Sequence, residues 1–208
     1  EGSASNAREI ILVAHRDTVG NLGANDNGSG TAALIELARR LAQYRNYLTI
    51  IFLSTSGEEE LGSWGALHYI RAQQEQGKLQ NIAAVLELDM VAGDNLAVVT
   101  GGSWQDARIS YDARLIDAML RIAREMGLGY VTSEWCAMGT PDSGRFAQAG
   151  VPALWLWSSQ SRNYHTEQDT LEYVNYATLA DACGLAQRFV LWLDDLHLQT
   201  RGGGEKAG

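Results

Sequence analysis

The amino-acid sequence predicts an α/β fold, a three-layer αβα sandwich around a mostly parallel mixed sheet. Short apolar runs rich in β-branched residues alternate along the chain with longer segments whose apolar residues recur every three or four positions. This alternation is typical of parallel strands joined by crossover helices that cover both faces of the sheet. In addition, 46% of the 208 residues are apolar and 20% are charged, which is enough to build the core of one domain.

Apolar runs predict five strands, at residues 9–14, 48–54, 83–89, 96–100 and 151–157. Helical spacing of apolar residues predicts a short helix after Asp142 and four longer ones, at residues 30–44, 61–74, 110–126 and 176–196. We take residues 9–198 as one domain, because the two ends differ from it in composition. Residues 1–8 resemble a tag or a flexible segment, and residues 199–208 form a Gly-rich tail without apolar periodicity.

The charge balance and the cysteine count exclude several classes of protein. Lys and Arg number 16 against 25 Asp and Glu, a formal net charge of −9, whereas a nucleic-acid-binding protein presents a basic surface. No stretch approaches the roughly 20 consecutive apolar residues of a membrane span. Cys136 and Cys183 are too few for a disulfide scaffold or a Cys-based zinc site, and we expect both thiols to be free.

The first predicted strand leads into the polar tripeptide His15-Arg16-Asp17. Side chains two positions apart in an extended segment point to the same side. One imidazole nitrogen of His15 can therefore bind a metal ion while the other donates to the carboxylate of Asp17, which fixes the tautomer and the ring orientation. For this tripeptide alone, a polar loop with an incidental histidine remains the alternative.

Two further acidic segments follow strands. Residues 23–30 place Asp26 in a Gly-rich loop before a helix, where a carboxylate can bridge two cations, although an ordinary turn and helix N-cap has the same composition. Glu58, Glu59 and Glu60 come after the second predicted strand. Adjacent carboxylates are costly unless water or a cation neutralises them, although acidic residues also favour helix N-termini.

Asp89 closes the third apolar strand, and His165 lies in a polar segment just beyond the last one. Considered singly, Asp89 could simply form a turn, and His165 could be an ordinary surface histidine. Because ligand sites of such sheets lie outside the carboxyl ends of the strands, we expect all these side chains to converge at one rim. Nitrogen and oxygen ligands without thiolate suit zinc, with manganese or cobalt as substitutes.

In chain order these segments resemble the two-zinc aminopeptidases, which include the secreted bacterial leucyl aminopeptidases and aminopeptidase Y. The matching segments cover nearly the whole chain: His15-x-Asp17, residues 23–30, the Glu-Glu pair, Leu88-Asp89-Met90 and Tyr164-His165-Thr166-x-x-Asp169-Thr170. The family's ligands are a histidine, a bridging aspartate, a glutamate, an aspartate and a final histidine. The resemblance therefore implies the metal ligands His15, Asp26, Glu60, Asp89 and His165.

The run of three glutamates allows two registers of the family pattern Glu-Glu-x-Gly-x-x-Gly, whose first glutamate is the general base and whose second is a ligand. Gly62 and Gly65 fit this pattern when Glu59 is the base and Glu60 the ligand, and this is the register that we predict. A shift to Glu58 and Glu59 matches a form of the family with glycine directly before the pair, but it loses both later glycines.

The resemblance also implies a reaction. Two Zn²⁺ sharing a carboxylate and a hydroxide would cut the N-terminal residue from peptides with a free N-terminus, with Glu59 moving the proton. Asp17 would orient its neighbouring histidine, and Tyr164 matches a tyrosine that some members use to hydrogen-bond the developing oxyanion. The implied partners are therefore peptide substrates.

Other interpretations remain open at this point. A glutaminyl cyclase-like acyltransferase would use one zinc on the same fold, a carboxypeptidase or dipeptidase would differ only in its pocket loops, and a non-catalytic interaction domain is not expected to keep the full ligand set. The family suggests a secreted or periplasmic location, although no signal peptide is visible. Members usually have further elements before the first histidine, so we expect an uncovered sheet edge that favours a homodimer.

Overall fold

The structure is a computed structural model that describes residues 8–104, 107–136, 141–159, 161 and 163–202. Its strands are β1 (Glu9–His15), β2 (Thr49–Thr55), β3 (Ile82–Asp89), β4 (Ala97–Trp104), β5 (Ala107–Ser110), β6 (Thr132–Cys136) and β7 (Ala153–Trp157). Its α-helices are α1 (Gly28–Leu41), α2 (Trp64–Glu75), α3 (Ala113–Glu125), α4 (Asp142–Gln148) and α5 (Tyr176–Gly202). Short 3-10 helices span Leu79–Asn81 and Leu171–Tyr173.

Within these described residues, seven strands form one mixed sheet. The strand order is β2-β1-β3-β7-β4-β5, and β6 also pairs with β4. β1 is parallel to β2 and β3, β3 is parallel to β7, and β4 is parallel to β6, whereas β5 and β7 are antiparallel to β4. Helices flank this sheet, so the predicted α/β sandwich with a mostly parallel mixed sheet is confirmed.

The central strands β1, β3 and β7 form the middle of the core. Ile10–Val13 in β1 are fully buried, and every residue of β3 and β7 is buried. These strands are nearly continuous apolar runs, because a parallel sheet covered on both faces has no solvent-facing side that would favour polar residues. A charged side chain inside such a strand therefore requires partners.

The helices divide into two groups. α1 and α3 pack against α5, whereas α2 packs against α4, where the rings of Tyr69 and Phe146 lie 6.1 Å apart. The chain moves outward from β1 to β2 and back across β1 to β3. Because parallel crossovers are right-handed, this reversal puts α1 and α2 on opposite faces of the sheet.

The same reversal brings the carboxyl ends of neighbouring parallel strands together at one rim of the sheet, where the candidate site lies. His15, Thr55 and Asp89 are the last residues of β1, β2 and β3, and His15 pairs directly with Thr55. Asp89 pairs with Trp157, the last residue of β7. Four parallel strands therefore end at one rim, which is the carboxyl edge expected for ligand binding in open α/β sheets.

Besides the two short 3-10 helices, the sequence did not predict β5 and β6. β5 has only four residues, and its Ser110 is the residue at which the third predicted helix begins. β6 reads Thr-Ser-Glu-Trp-Cys and is mostly exposed, so it has no apolar run that would indicate a strand. Both lie beside β4, which is longer than predicted and ends at Trp104.

At the ends of the chain, α5 continues to Gly202, so the first residues of the predicted Gly-rich tail are helical. The remaining predicted tail and most of the predicted N-terminal segment lie outside the described residues. Cys136 and Cys183 are buried and are not joined by a disulfide bond, as predicted. None of the helices in the described ranges is long and apolar enough to cross a lipid bilayer.

Candidate metal centre

His15 lies at the bottom of the site, 1% exposed at the end of β1. Its Nδ1 is 3.1 Å from the carbonyl oxygen of Asp17 and 3.7 Å from the Asp17 carboxylate. Its Nε2 is 3.4 Å from Asp26 Oδ1 and 3.3 Å from Asp89 Oδ1. Burial lowers the pKa of His15, but its hydrogen bonds with these three carboxylates raise it far above the usual value. One ring nitrogen is therefore held by Asp17, and the other faces two carboxylates.

Asp26 stands between the two histidines. Its Oδ1 faces His15, and its Oδ2 lies 3.2 Å from Nε2 of His165. The side chain is 5% exposed, because the loop before α1 folds inward. The predicted bridging residue thus directs each of its oxygens to a different histidine.

In the glutamate run, the structure places Glu58 and Glu59 in the cluster and Glu60 outside it. Glu59 Oε2 lies 2.9 Å from Nε2 of His165, its side chain is 5% exposed, and its backbone amide donates to Asp17 Oδ2 over 3.3 Å. Glu58 has a carboxylate oxygen in the same cluster as His15. Glu60, the predicted ligand, is instead exposed at the rim of the cavity.

Loop closure is the physical reason for this placement of the three glutamates. The backbone amides of Ser63 and Trp64 donate to the carbonyls of Glu58 and Gly57, over 3.2 and 2.9 Å, so the loop returns to its own start before α2 begins. Gly57 has a φ of 76°, a left-handed conformation that glycine adopts easily, and it turns the chain directly after β2. The first two glutamates therefore point into the site and the third points outward.

Three overlapping groups of potential ligands occur in the described residues. In each group one donor atom per residue lies within 4.8 Å of the others. His15, Asp26 and Asp89 form a fully buried group, and Asp26, Glu59 and His165 form the second. The third group joins Glu58 and Glu59 to His15. Asp26 is shared by the first two groups, as a residue that bridges two cations must be.

The electrostatics of the site fit a cation. Burial, then repulsion from Asp89, raises the pKa of Glu58 to about 10, and burial, then repulsion from Asp26, raises that of Glu59 to about 8. Glu59 Oε1 is buried and has no hydrogen-bond partner among the described residues. Imidazole and carboxylate donors without thiolate are a ligand set that zinc accepts.

A cavity of about 310 Å³ opens above these groups. Tyr164 lines it, and its ring stacks on the His165 ring with centroids 3.7 Å apart. Burial raises the pKa of the Tyr164 phenol, so it keeps its proton at neutral pH and can donate a hydrogen bond. Apolar side chains from the ends of β3 and β7 also line the cavity: Met90, Trp155 and Trp157.

Sequence reasoning missed a buried acidic group behind the cavity. Glu87, inside β3, accepts hydrogen bonds from the backbone amides of Asp142 and Ser143 over 3.0 and 2.9 Å. The Asp142 carboxylate accepts a hydrogen bond from Thr55. The only signal in the sequence was a glutamate inside an otherwise apolar strand, which requires partners.

The fold and the donor set define the class of protein: an α/β sandwich with a candidate histidine–carboxylate metal centre at the carboxyl edge of its parallel strands. The chain belongs to peptidase family M28, which it matches over residues 1–190. It is 30% identical over 186 residues to Aminopeptidase YwaD of Bacillus subtilis (strain 168), covering 83% of this chain and 38% of that protein.

Solved structures show the same relationship. BSAP, a zinc aminopeptidase from Bacillus subtilis, has a TM-score of 0.76 and 25% identity, covering 89% of this chain and 46% of that one. An Acidobacteriales bacterium glutaminyl cyclase has a TM-score of 0.72 and 26% identity, covering 91% of this chain and 70% of that one. The chain thus spans less than half the length of the two aminopeptidases.

Proposed function

We propose that this chain is the catalytic part of a zinc aminopeptidase that removes N-terminal residues from peptides. The observation that carries the proposal is the position of Asp26, whose two oxygens face His15 and His165 over 3.4 and 3.2 Å. A shared carboxylate between two histidine-containing groups is the arrangement that a two-cation centre needs. Membership of family M28 supports the same conclusion.

In this proposal, one Zn²⁺ is held by His15, Asp26 and Asp89, and a second is held by Asp26, Glu59 and His165. Mn²⁺ and Co²⁺ are expected to substitute, because they accept the same donors. Bound zinc supplies Lewis acidity, which polarises the scissile carbonyl and lowers the pKa of the attacking water. Glu59 is thus proposed as a ligand, one position before the residue that the family pattern selected.

Glu58 then takes the role of general base. Burial raises the pKa of its carboxyl group to about 10 without a cation, so Glu58 would then be protonated at neutral pH. Neighbouring cations would lower this pKa toward neutrality, where the carboxylate can accept a proton from water. The same carboxyl group returns the proton to the leaving amine. The Tyr164 phenol donates to the developing oxyanion, and Asp17 fixes the orientation of the His15 ring.

Hydrolysis of amino-acid p-nitroanilides tests this function directly. We expect the protein to cleave substrates with a free α-amine and to leave their N-acetylated counterparts intact, and we expect about two zinc ions per chain. Cleavage of both substrate forms at equal rates would contradict N-terminal specificity. Absence of bound zinc would contradict the metal assignment.

A glutaminyl cyclase is the second candidate, and the structural neighbour at 26% identity favours it. Such an enzyme would release ammonia from an N-terminal glutamine and form a pyroglutamyl peptide, with one zinc per chain. A peptide that begins with glutamine separates the two candidates, because an aminopeptidase releases free glutamine from it. Mass spectrometry distinguishes the two products.

We also propose that the chain forms a homodimer through β2. Among the described residues, this edge strand pairs only with β1. Its apolar residues Ile50–Leu53 are partly exposed, and an uncharged apolar edge favours pairing with another chain. Ile51→Lys should convert the dimer to a monomer in sedimentation experiments, whereas Ile35→Lys on the exposed side of α1 should not. A monomeric wild-type protein would contradict this proposal.

A further inference from the structure

Asp169 holds the loop that carries the candidate bridging carboxylate. It is 2% exposed and lies four residues after His165. Its Oδ1 accepts the backbone amide of Asn25 over 2.8 Å, and its Oδ2 accepts the backbone amide of Asp26 over 2.9 Å. Its carbonyl oxygen also accepts the amide of Ala24 over 3.2 Å. Three consecutive amides of the bridging loop are therefore bound by one residue of the His165 segment.

The other side of the same loop is attached to the end of β3. The Asn27 side chain donates to the carbonyl of Leu88 over 3.0 Å and accepts the amide of Met90 over 3.2 Å. Leu88 and Met90 are the residues directly before and after Asp89 in the sequence. Asp26 is thus fixed on one side to the segment of His165 and on the other side to the strand of Asp89.

We propose that Asp169 is a positioning residue for both metal ions, acting through the backbone of Asp26. This inference rests on the proposed function, because it concerns the same two ligand groups. Asp26 belongs to both groups, so a shift of its carboxylate weakens both ions at once. Asp17, in contrast, contacts His15 and accepts the backbone amide of Glu59 over 3.3 Å, so it reaches one separate ligand of each ion and not the ligand that the two groups share.

The chemistry of the contact explains why a carboxylate is needed there. Two adjacent amides point at one side chain, and only a carboxylate offers an accepting oxygen to each of them. Hydrogen bonds to an ionised acceptor are stronger than neutral ones. Asparagine would present its own NH₂ group to one of the two donors, and that part of the loop would move away.

Asp194 provides a matched control. It is also buried, at 7% exposure, and its carboxylate also accepts two consecutive amides, those of Tyr47 and Leu48, over 3.0 and 2.6 Å. These amides lie at the start of β2, whereas the candidate metal centre lies beyond the strand ends at the opposite rim. Asp194→Asn therefore removes the same kind of contact from the start of β2, a segment that carries none of the proposed metal ligands.

The experiment compares the zinc affinity of the wild type, Asp169→Asn and Asp194→Asn by competition with a chelator, together with thermal unfolding after removal of metal. We expect Asp169→Asn to weaken the binding of both zinc ions by about 10- to 100-fold, the usual effect of losing a contact that orients a ligand. The visible spectrum of the Co²⁺-loaded variant should change as well. Asp194→Asn should lower the unfolding temperature but leave zinc affinity and the Co²⁺ spectrum unchanged.

The outcomes separate this inference from the proposed function. A wild type that binds no zinc would contradict the proposed function, whereas wild-type zinc affinity in Asp169→Asn would overturn the positioning role alone. Equal losses of zinc affinity in Asp169→Asn and Asp194→Asn would overturn it too, since the effect would then be one of general stability. If Asp169→Asn does not fold, Asp169→Ser, which keeps one oxygen acceptor, must show the same selective loss of zinc affinity.

Discussion

Glu58, Glu59 and Glu60 carry the same side chain, and their surroundings alone give them different chemistry. Glu58 and Glu59 have raised pKa values because they are buried near other carboxylates. Glu60 is exposed to solvent at the cavity rim. Glu58 and Glu59 belong to groups of potential ligands and can act as a base or as a ligand, whereas Glu60 belongs to none of the groups found in the described residues.

Three isosteric substitutions test this assignment. Glu58→Gln should lower kcat by about 10²- to 10⁴-fold with normal zinc content, because a proton acceptor is lost while the ligands remain. Glu59→Gln should reduce zinc content, since it removes a charged ligand. Glu60→Gln is the matched control and should change neither quantity. Zinc loss in Glu60→Gln together with an inactive, zinc-loaded Glu59→Gln would restore the register that the family pattern favours.

Tyr164 is the second residue whose role can be measured. Its phenol is protonated at neutral pH, and its ring rests on His165. Tyr164→Phe keeps the ring stacking and removes only the donor, so kcat should fall by about 10²-fold while KM changes little. Steady-state kinetics on an amino-acid p-nitroanilide give both values. An unchanged kcat would exclude the phenol from the reaction.

Most residues of the candidate site could be selected from the sequence, because each side chain carried an independent signal. His15 and Asp89 end apolar strands, and Asp26 lies in a Gly-rich loop before a helix. The register of the glutamates had no such signal, since it depends on how the loop after β2 closes. The contact between Asp169 and the amide of Asp26 joins residues 143 positions apart, a distance at which local patterns carry no information.

At the scale of elements, α4 is held against the sheet by a buried carboxylate. Glu87 accepts the first amides of this helix, and burial together with repulsion from Asp142 and Asp89 raises its pKa well above the usual value. A protonated Glu87 avoids the cost of a buried charge and still accepts hydrogen bonds. The first turn of α4, which follows the cavity-lining Pro141, is therefore anchored to β3 through Glu87.

Glu87→Leu should lower the free energy of unfolding by about 3 kcal/mol, because the buried amides of Asp142 and Ser143 lose their acceptor. Urea denaturation measures this loss. Glu125→Leu, at the exposed end of α3, is the control and should stay within about 0.5 kcal/mol of the wild type. Equal stability of the Glu87 variant and the wild type would show that the carboxylate does not hold α4.

Some strands could be predicted from the sequence and others could not, as was the case for the residues of the site. β1, β3 and β7 were predicted almost to the residue, because burial on both faces makes each of them a continuous apolar run. β6 was missed because it is polar and exposed, and its strand form comes from pairing with β4. Edge elements are defined by their neighbours rather than by their own residues, and β-propensity alone does not reveal them.

At the scale of the whole molecule, we expect the buried carboxylates of the candidate metal centre and its surroundings to make the stability of the fold depend on both metal and pH. Burial raises the pKa of Glu58 to about 10, of Glu59 to about 8 and of Asp142 to about 6. In protein stripped of metal by a chelator, the folded state thus binds more protons than the unfolded state above about pH 4.5, the ordinary glutamate value. Stability is therefore greatest in mild acid and is lost as the pH rises through these folded pKa values.

The measurement is thermal unfolding of stripped and zinc-loaded protein between pH 5.5 and pH 8.5. The unfolding temperature of the stripped protein should fall across this range, and His15, whose pKa is also raised, adds to the fall above about pH 6.5. Asp17 has a lowered pKa, so its contribution is lost only below about pH 4, outside the range.

Zinc binding opposes the decline, because deprotonated ligands bind the metal. The difference between loaded and stripped protein should therefore widen with pH. In stripped Glu58→Gln the fall should be shallower, since one titrating group is gone, and a stripped protein that is equally stable at both pH limits would contradict the buried acidic centre.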